Sequence, residues 1–583
     1  MFNQHVATGL ASFFGREDAA DCVRVVGETL PGHTIVLRLA SERFKTQVER
    51  WSVDESAGAE PSSKRRATAA LPENGGAGGP QAACAGTRRP PLLQLRVPLG
   101  SEEELPAALS VIKFAYTGHI EAGSIEEALQ ARQQADYLQM EGCVAACVAA
   151  VREQLAGTSA AAAPRVGNSG SAVVTTAAGT STSASVAVAP LVLQLYSCAQ
   201  LWPDPEHEPA FAALLTEAKP RLVSHFRDAL AVLNNGQLYK QMLALPAVGL
   251  EALLESDDFG TDSESSVVLV LAEWMAENYS STDADTRRRL CGLLRLACCS
   301  RAYLDWVLPA LALNHHCHPD SQAGWLPITP EQASGVAAYA AATSDGDRTT
   351  LKRVMGLASW CSSRDGGGGY DSTPAAWLSS APRRQCVPPE GLSFSFTCSK
   401  EELVQRLVVF GSQQVAVVRL GIEGTPRAGM SATAMGLQWE TTIHYEPGKS
   451  AAGMWLGLKL PGAYQQRWTH SPQRGADWFI LRPFAQLPAE VYLHRWRGGQ
   501  KEEVRVLKTS QDNLMITGDI EGCSEGIKLA AAPAPPAPPA QQQEQAQEQE
   551  QAQQQRRALA AAQWAQYLNS NRLSGCIKIL RPA

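Results

Sequence analysis

His33-Thr34-Ile35-Val36-Leu37-Arg38-Leu39-Ala40-Ser41-Glu42-Arg43-Phe44 is the stretch from which the N-terminal fold is read. Val36, Leu37, Ala40, Phe44 and Val48 recur at helical spacing and form one apolar stripe, so the helix needs a surface to pack on. Upstream, Cys22 to Val26 is short and β-branched, Gly27-Glu28 is a turn signal, and Leu30 to Leu39 returns as a second apolar segment. That order predicts a hairpin leading into a helix. Downstream, Leu93, Leu95 and Val97 alternate with Gln94 and Arg96 as a strand would, and Leu105, Leu109, Ile112 and Phe114 line a further helix. Tyr116-Thr117-Gly118 ends that helix, because glycine accepts the left-handed conformation at a helix C-terminus. Two more helices follow, one carrying Ala128, Leu129, Ala135, Leu138 and Met140, the next Cys143, Val144, Cys147 and Val151.

Between these halves lies Ser52 to Pro90, rich in Ala, Gly, Pro and Ser, with a basic knot at Lys64-Arg65-Arg66. The knot reads as a solvated charge cluster in a disordered loop in preference to a nuclear localisation element. Such an insertion costs little, since loop-closure entropy rises by only about 0.6 kcal/mol per doubling of length. The two halves are therefore free to close into one core around it.

Taken together, the halves resemble a BTB/POZ domain. The matching positions are Asp21, Gly27, His33, Val36, Leu37, Ser41 and Phe44 in the first half, and Phe114, Tyr116, Thr117, Gly118, Ala135, Leu138 and Cys147 in the second. The resemblance implies a protein-recruitment module that dimerises through its N-terminal elements and, in many members, docks on cullin-3. His33, Ser41 and Tyr116 are expected to be hydrogen-bonded buried groups without a catalytic role. Leu10, Phe13 and Phe14 form the candidate dimer contact, as an apolar cluster at the start of such a chain.

At 583 residues the chain exceeds what one core normally serves, so three domains with disordered connections are expected. The net charge of −7 and the lack of a basic stripe interleaved with aromatics argue against nucleic acid as a partner. The 14 cysteines show no paired CxxC pattern, and Cys143, Cys147, Cys291, Cys298 and Cys299 fall in apolar helical stretches. They read as reduced, packed thiols of a protein in the cytoplasm, the nucleus or both. Met1 to Phe14 lacks the apolar core of a secretory leader, and no apolar run is long enough to span a bilayer, so no membrane partner is expected.

Gly157 to Pro190 is almost entirely Ala, Ser, Thr, Gly and Val and reads as a linker. Helical signal resumes beyond it: Phe211 to Ala218, Leu222 to Val232, Gln237 to Leu243, Leu250 to Leu254, Ser265 to Glu277, Arg287 to Leu296 and Tyr303 to Leu311. Within that run, Leu250, Leu253 and Leu254 form an apolar face ended by Ser256 or Asp257. Asp262 or Ser263 then caps a helix whose Val267, Val268, Leu271 and Trp274 face inward. These residues resemble the BACK domain that commonly follows BTB. His315-His316-Cys317-His318 is a polar helix-to-loop exit, since adjacent residues cannot all converge on one ion and no second ligand pair stands nearby. Gly366 to Gly369 lacks the Lys-Ser/Thr of a phosphate cradle and reads as a flexible joint. No Gly-x-Ser-x-Gly elbow, Walker loop or dinucleotide fingerprint is present, so neither an enzyme nor a cofactor or metal site is expected.

From about Pro388 the period changes to two. Leu392 to Phe396, Val408 to Phe410, Val415 to Leu420, Met435 to Ile443, Trp455 to Leu458, Trp478 to Leu481, Val491 to Leu493 and Val504 to Val506 are short β-type runs. They describe an antiparallel β-sandwich. With Arg384-Gln385-Cys386-Val387 just before the first run, the region resembles the TRAF/MATH-like domain that closes plant-type BTB/BACK proteins. Ala530 to Gln555 is Pro/Ala then Gln/Glu low complexity. Past it, Ser574 to Leu580 returns as a strand expected to rejoin the β-domain, because Ile577 and Ile579 would otherwise be exposed.

The expected fold class is multidomain α+β: a BTB/POZ α/β domain, an all-helical BACK domain and a C-terminal antiparallel β-sandwich, with long disordered insertions. The expected boundaries are 1–155 with insertion 52–90, linker 156–188, BACK 189–313, connector 314–387 and β-domain 388–583 with insertion 530–562. The resemblances together imply a homodimeric substrate-recognition adaptor of a cullin-3 RING ubiquitin ligase, with a protein client unknown from sequence. The alternative is a dimeric scaffold or transcriptional co-regulator acting without a cullin.

Overall fold

A computed structural model describes residues 21–25, 28–57, 94–97, 99–161, 190–362, 373–409, 415–426, 430–446, 449–464, 484–509, 515–516, 520–530 and 545–581. The chain is a multidomain protein of helices and mainly antiparallel sheet, and it divides into two compact units, Met1–Ala218 and Lys219–Ala583. Leu10, Phe13 and Phe14, the basic knot, Gly366 to Gly369 and the run Trp478 to Leu481 lie outside the described residues.

In the first unit, β1 (Asp21–Val25) pairs antiparallel with β2 (Glu28–Gly32) and parallel with β3 (Gln94–Val97). The strand that follows the insertion thus lies beside the first strand, with Val23 opposite Leu95. Helix α1 (Thr34–Ala40) follows β2 and α2 (Glu42–Ala57) follows α1. The apolar stripe was expected on a single helix, but Ser41 breaks it in an extended conformation, φ −139° and ψ 121°. Ser41 bridges Met140 and its hydroxyl donates to Leu138 O at 2.5 Å, so long-range bonds hold it there beside the helical ones, its own N–H on Leu37 O and the Lys45 N–H on its carbonyl, both at 3.0 Å. Helix α2 also continues to Ala57, past the expected start of the insertion at Ser52.

Helix α3 (Leu105–Thr117) buries Ala108, Val111, Ile112 and Ala115, while Leu105, Leu109 and Phe114, expected to line its inner face, are half-buried at its flanks. Gly118 ends it at φ 68° with its N–H on Phe114 O at 2.8 Å. Helix α4 (Ile125–Tyr137) starts at Ser124, whose hydroxyl accepts the Glu127 N–H at 3.2 Å. Helix α5 (Cys143–Ala161) runs into the stretch expected to be linker, and α6 (Leu191–Ser197) and the start of α7 (Pro209–Phe226) belong to the same unit. Arg132 on α4 donates to Glu208 through Nε at 3.0 Å, an ion pair mostly shielded from water.

The second unit takes up the rest of α7 and then α8 (Ala229–Asn234), α9 (Gly236–Leu243), α10 (Ala247–Glu255), α11 (Glu264–Asn278), α12 (Ala284–Gly292), α13 (Leu308–Cys317), α14 (Pro330–Ala341) and α15 (Asp345–Ser362). Leu222 to Val232 is not one helix: Arg227 takes a left-handed φ of 66° and Asp228 caps α8 through the Ala231 N–H at 2.7 Å. Ser256 ends α10 and Ser263 caps α11. Every residue of α11 from Glu264 to Met275 is buried, as in a helix enclosed on all sides, and α8 and α9 are among the elements packed on it.

Among the described residues the strands of this unit form two large antiparallel sheets and a two-stranded one, β10 (Phe484–Ala485) with β13 (Met515–Ile516). One runs β12-β11-β16-β4-β6, from β12 (Gln500–Lys508), β11 (Ala489–Arg497), β16 (Arg572–Ile579), β4 (Leu392–Ser399) and β6 (Gly421–Ile422). The other runs β14-β9-β8-β5, from β14 (Ile520–Lys528), β9 (Ala451–Lys459), β8 (Leu437–Tyr445) and β5 (Ala416–Arg419), with β7 (Ala432–Ala434) also on β8. β16 is a central strand: Ile577 faces Phe394 of β4 and Val491 of β11, and Ile577 and Ile579 are buried. It returns from β15 (Leu568–Asn569) through Ser570 and Asn571, both at positive φ, the twist that a two-residue hairpin requires.

Two expectations in this region are corrected. Val408 and Val409 end helix α16 (Lys400–Val409) and are not a strand. Ser399 caps the helix through the Glu402 N–H at 3.1 Å, and Leu403, Val404 and Leu407 are buried at helical spacing. The low-complexity insertion expected over 530–562 is helical from Gln545, where α17 (Gln545–Gln563) begins. Its Ala, Gln and Glu are strong helix formers, and Ala560 and Gln563 at its end are buried, with Gln563 accepting from Tyr445 Oη at 2.8 Å.

Helices and sheets of this unit meet at the turn from β7 to β8. Asn234 donates to Thr433 O at 2.8 Å and accepts the Thr433 N–H at 2.7 Å. The Asp262 carboxylate takes the Met435 N–H at 2.5 Å on one oxygen, and the Ser263 N–H at 2.8 Å and Ser266 hydroxyl at 2.6 Å on the other. Ser266 in turn accepts the Gly436 N–H at 2.9 Å, and Tyr303 donates to Gly436 O at 2.6 Å. Gly436 sits at φ 71°, and a Cβ there would come 2.4 Å from Tyr303 Oη, so only glycine fits. Replacing Asp262 by Asn puts an amide against one of these donors, and a buried N–H left unbonded costs about 1–3 kcal/mol. Asp262→Asn is therefore expected to lower the unfolding free energy of this unit by that amount, read by tryptophan fluorescence in a denaturant titration; an unchanged free energy rejects the role of the tie.

Candidate functional site

The residues singled out in the first unit assemble into one structure from both sides of the insertion. The His33 backbone N–H donates to Tyr116 Oη at 2.7 Å, and the two rings meet edge-on with centroids 5.8 Å apart. Val36, Leu37, Phe44 and Tyr116 are buried in the same core, and Phe114 packs on its rim. The Ser41 hydroxyl accepts the Phe44 N–H at 3.2 Å while donating to Leu138 O, which fixes the break between α1 and α2. Asp21 opens β1 opposite Gly32, and Gly118 closes α3. These positions join elements 83 and 97 residues apart, as packing and hydrogen-bonding positions.

Their effect is to turn a different set of side chains outward. With Val36 and Leu37 held inside, Ile35 and Leu39 share the opposite face of α1 and are 71% and 77% exposed. At the head of α2, the Arg43 guanidinium lies 3.9 Å above the Tyr137 ring, and its Nη2 donates to Tyr137 Oη at 2.6 Å. The turn after Tyr137 is tied to the same place by the Glu141 N–H on Ala40 O at 2.9 Å. An apolar pair on one helix and a cation stacked on a half-exposed tyrosine are suited to burial against another protein. Reading the stripe alone passes over them. The signal was the i, i+4 spacing of Ile35 and Leu39, off the stripe.

Several buried thiols are held away from the thiolate form. The hydrogen bond with Cys147, together with burial, pushes the Cys143 thiol far above its usual range. Burial likewise raises Cys291, Cys298 and Cys299, and lifts Cys398 to about 12. Burial also raises the Asp262 carboxyl, against the pull of its bonds from Ser266, Met435 and Ser263. His315 to Cys317 end α13 and His318 caps it, with His315 Nδ1 2.8 Å from Gly324 O. Among the described residues, no group of three or more His, Cys, Asp or Glu is arranged to hold a metal ion, and no helix is long and apolar enough to cross a membrane.

No family model matches the chain, and no curated protein matches it. Tyr116→Phe removes the oxygen that receives the His33 N–H between the two halves. It is expected to destabilise the first unit by about 1–3 kcal/mol in denaturant titration, with helical content retained. A loss below the error of the titration shows that the halves do not depend on this bond.

Proposed function

We propose that the chain is a homodimeric substrate-recognition adaptor of a cullin-3 RING ubiquitin ligase. In this reading residues 1–155 are a BTB/POZ domain, the helices within 189–313 are a BACK domain, and the sheets of 388–583 form a TRAF/MATH-like domain that reads the client. The observation that carries it is the outward face of α1, where Ile35 and Leu39 stand exposed over a packed core. Burying a Leu or Ile side chain fully is worth about 1.5–3 kcal/mol, so two copies of this pair across a symmetric contact supply a large part of a stable association. The stacked Arg43 and Tyr137 offer a second anchoring point of the type enriched at interfaces, and we assign them to the cullin.

The chain itself performs no chemistry. It raises the effective concentration of a bound client beside a ubiquitin-loaded partner enzyme, and dimerisation presents two such sites at once.

Placing charge on the apolar face tests the association. Ile35→Asp with Leu39→Asp is expected to weaken self-association by at least about a hundredfold, moving the mass seen by light scattering from dimer to monomer with an unchanged melt. A wild-type monomer, or a variant that stays dimeric, overturns this use of α1. Capture of a purified cullin-3 N-terminal domain by the full chain tests the second half, with Tyr137→Ala expected to weaken it by about tenfold or more. A wild-type dimer that captures no cullin-3 identifies the chain as a scaffold or co-regulator instead.

A further inference from the structure

The sheet β12-β11-β16-β4-β6 has a face that its core does not use. Along β16 burial alternates, with Leu573, Gly575, Ile577 and Ile579 inside, so Arg572, Ser574, Cys576 and Lys578 point the other way. The register extends that face sideways: Glu490 of β11 lies between Lys508 of β12 and Lys578, and Tyr492 lies between Arg505 and Cys576. His494 stands opposite Glu503, with its Nδ1 2.9 Å from Ser574 Oγ, and Trp496 stands opposite Lys501.

The charge on this face is one-sided. Five cations, Lys501, Arg505, Lys508, Arg572 and Lys578, share it with two carboxylates, and both carboxylates are already engaged. Glu490 accepts from Tyr492 Oη at 2.6 Å and from Arg505 at 2.9 Å, with Lys508 at 3.9 Å. Glu503 lies 3.4 Å from Lys501 and 3.7 Å from His494. Arg572 and Lys578 form no ion pair among the described residues. A chain with a net charge of −7 has concentrated positive charge on one sheet face.

We propose that this face is the client-binding surface and that it takes an acidic peptide segment lying along β16. The purpose assigned to the face rests on the adaptor reading; its chemistry rests on the charges alone. Six residue steps along the strand separate Arg572 from Lys578, about 20 Å at roughly 3.3 Å per residue, so an extended segment with acidic side chains about six positions apart meets both. The β12 cations lie two strands away, about 10 Å, within reach of further acidic side chains on the same segment. Between the cationic ends the face is polar and uncharged at Ser574 and Cys576, which suits small or hydroxyl-bearing residues in the middle. A peptide is favoured over nucleic acid because the chain's overall negative charge repels a long polyanion, and two free cations about 20 Å apart do not track a continuous phosphate backbone.

Fluorescence anisotropy of labelled decaglutamate with the full chain tests this. Binding is expected at low salt, weakening as salt is raised, and Arg572→Glu with Lys578→Glu is expected to weaken it by about tenfold or more. Both side chains lie on the outer face, so the thermal melt of this double variant should match wild type; if it does not, Lys578→Gln alone serves, with a smaller loss expected. Absence of binding up to millimolar peptide, equal binding by the variants, or tighter binding of a single-stranded DNA oligonucleotide of equal charge each overturns the proposal. Cullin-3 capture is measured on the same variants. Its failure in wild type counts against the adaptor reading, whereas lost peptide binding with intact capture assigns the face to the client alone.

Discussion

The second unit depends on one buried carboxylate. Asp262 lies at the point where the helices and the sheets must agree on a position, and its two oxygens take donors from both. A charge in that place is costly unless every lone pair is used. Here the carboxylate is bonded by two backbone N–H groups and a hydroxyl, and the neighbouring Asn234 and Tyr303 fix the same turn from other helices. The helical and β regions are consequently packed as one compact body from Lys219 onward. A sheet face on such a body is held at a set distance from the helices.

A buried ion pair reinforces this. Arg383 and Glu264 are almost fully excluded from water, joined at 3.1 Å, and Glu264 also accepts the Arg295 N–H at 2.9 Å. Arg383 donates to Ser256 O at 2.9 Å, so the segment before β4 is bonded to the end of α10 and the start of α11 together. Thr261 and Gln385 pair as a short parallel bridge beside it. In sequence, Arg384 to Val387 stand out only by resemblance; in the structure they lead the chain from helices to strands along a bonded path.

What could be read in advance followed from periodicity and turn chemistry. The hairpin before α1, the Gly118 cap, the α10 to α11 junction and the return of β16 all rest on local signals strong enough to survive packing. The misreadings share a cause. Ser41, Arg227 and the Val408 run were assigned from neighbouring residues, but the outcome was decided by partners distant in sequence or by a cap. Ser41 is extended because it bridges Met140 and its hydroxyl donates to Leu138 O, and Val408 is helical because Ser399 starts a helix whose other apolar residues find the core. The exposed pair Ile35 and Leu39 was visible as spacing, yet its meaning required knowing which side of α1 the core occupies. The cationic sheet face was not visible at all, because its residues come from three strands brought together only by register.

The placement of β16 bears on how the protein is made. β4 and β11 are each bonded to β16 and not to one another, so during synthesis both stand with an open backbone edge until the chain through Ile579 has left the ribosome. Everything between Arg497 and Arg572, including the Gln-rich helix, is translated while those edges wait. Unpaired strand edges recruit whatever extended chain they meet. A late-arriving central strand therefore leaves those edges open to wrong pairing for as long as that stretch takes to be translated.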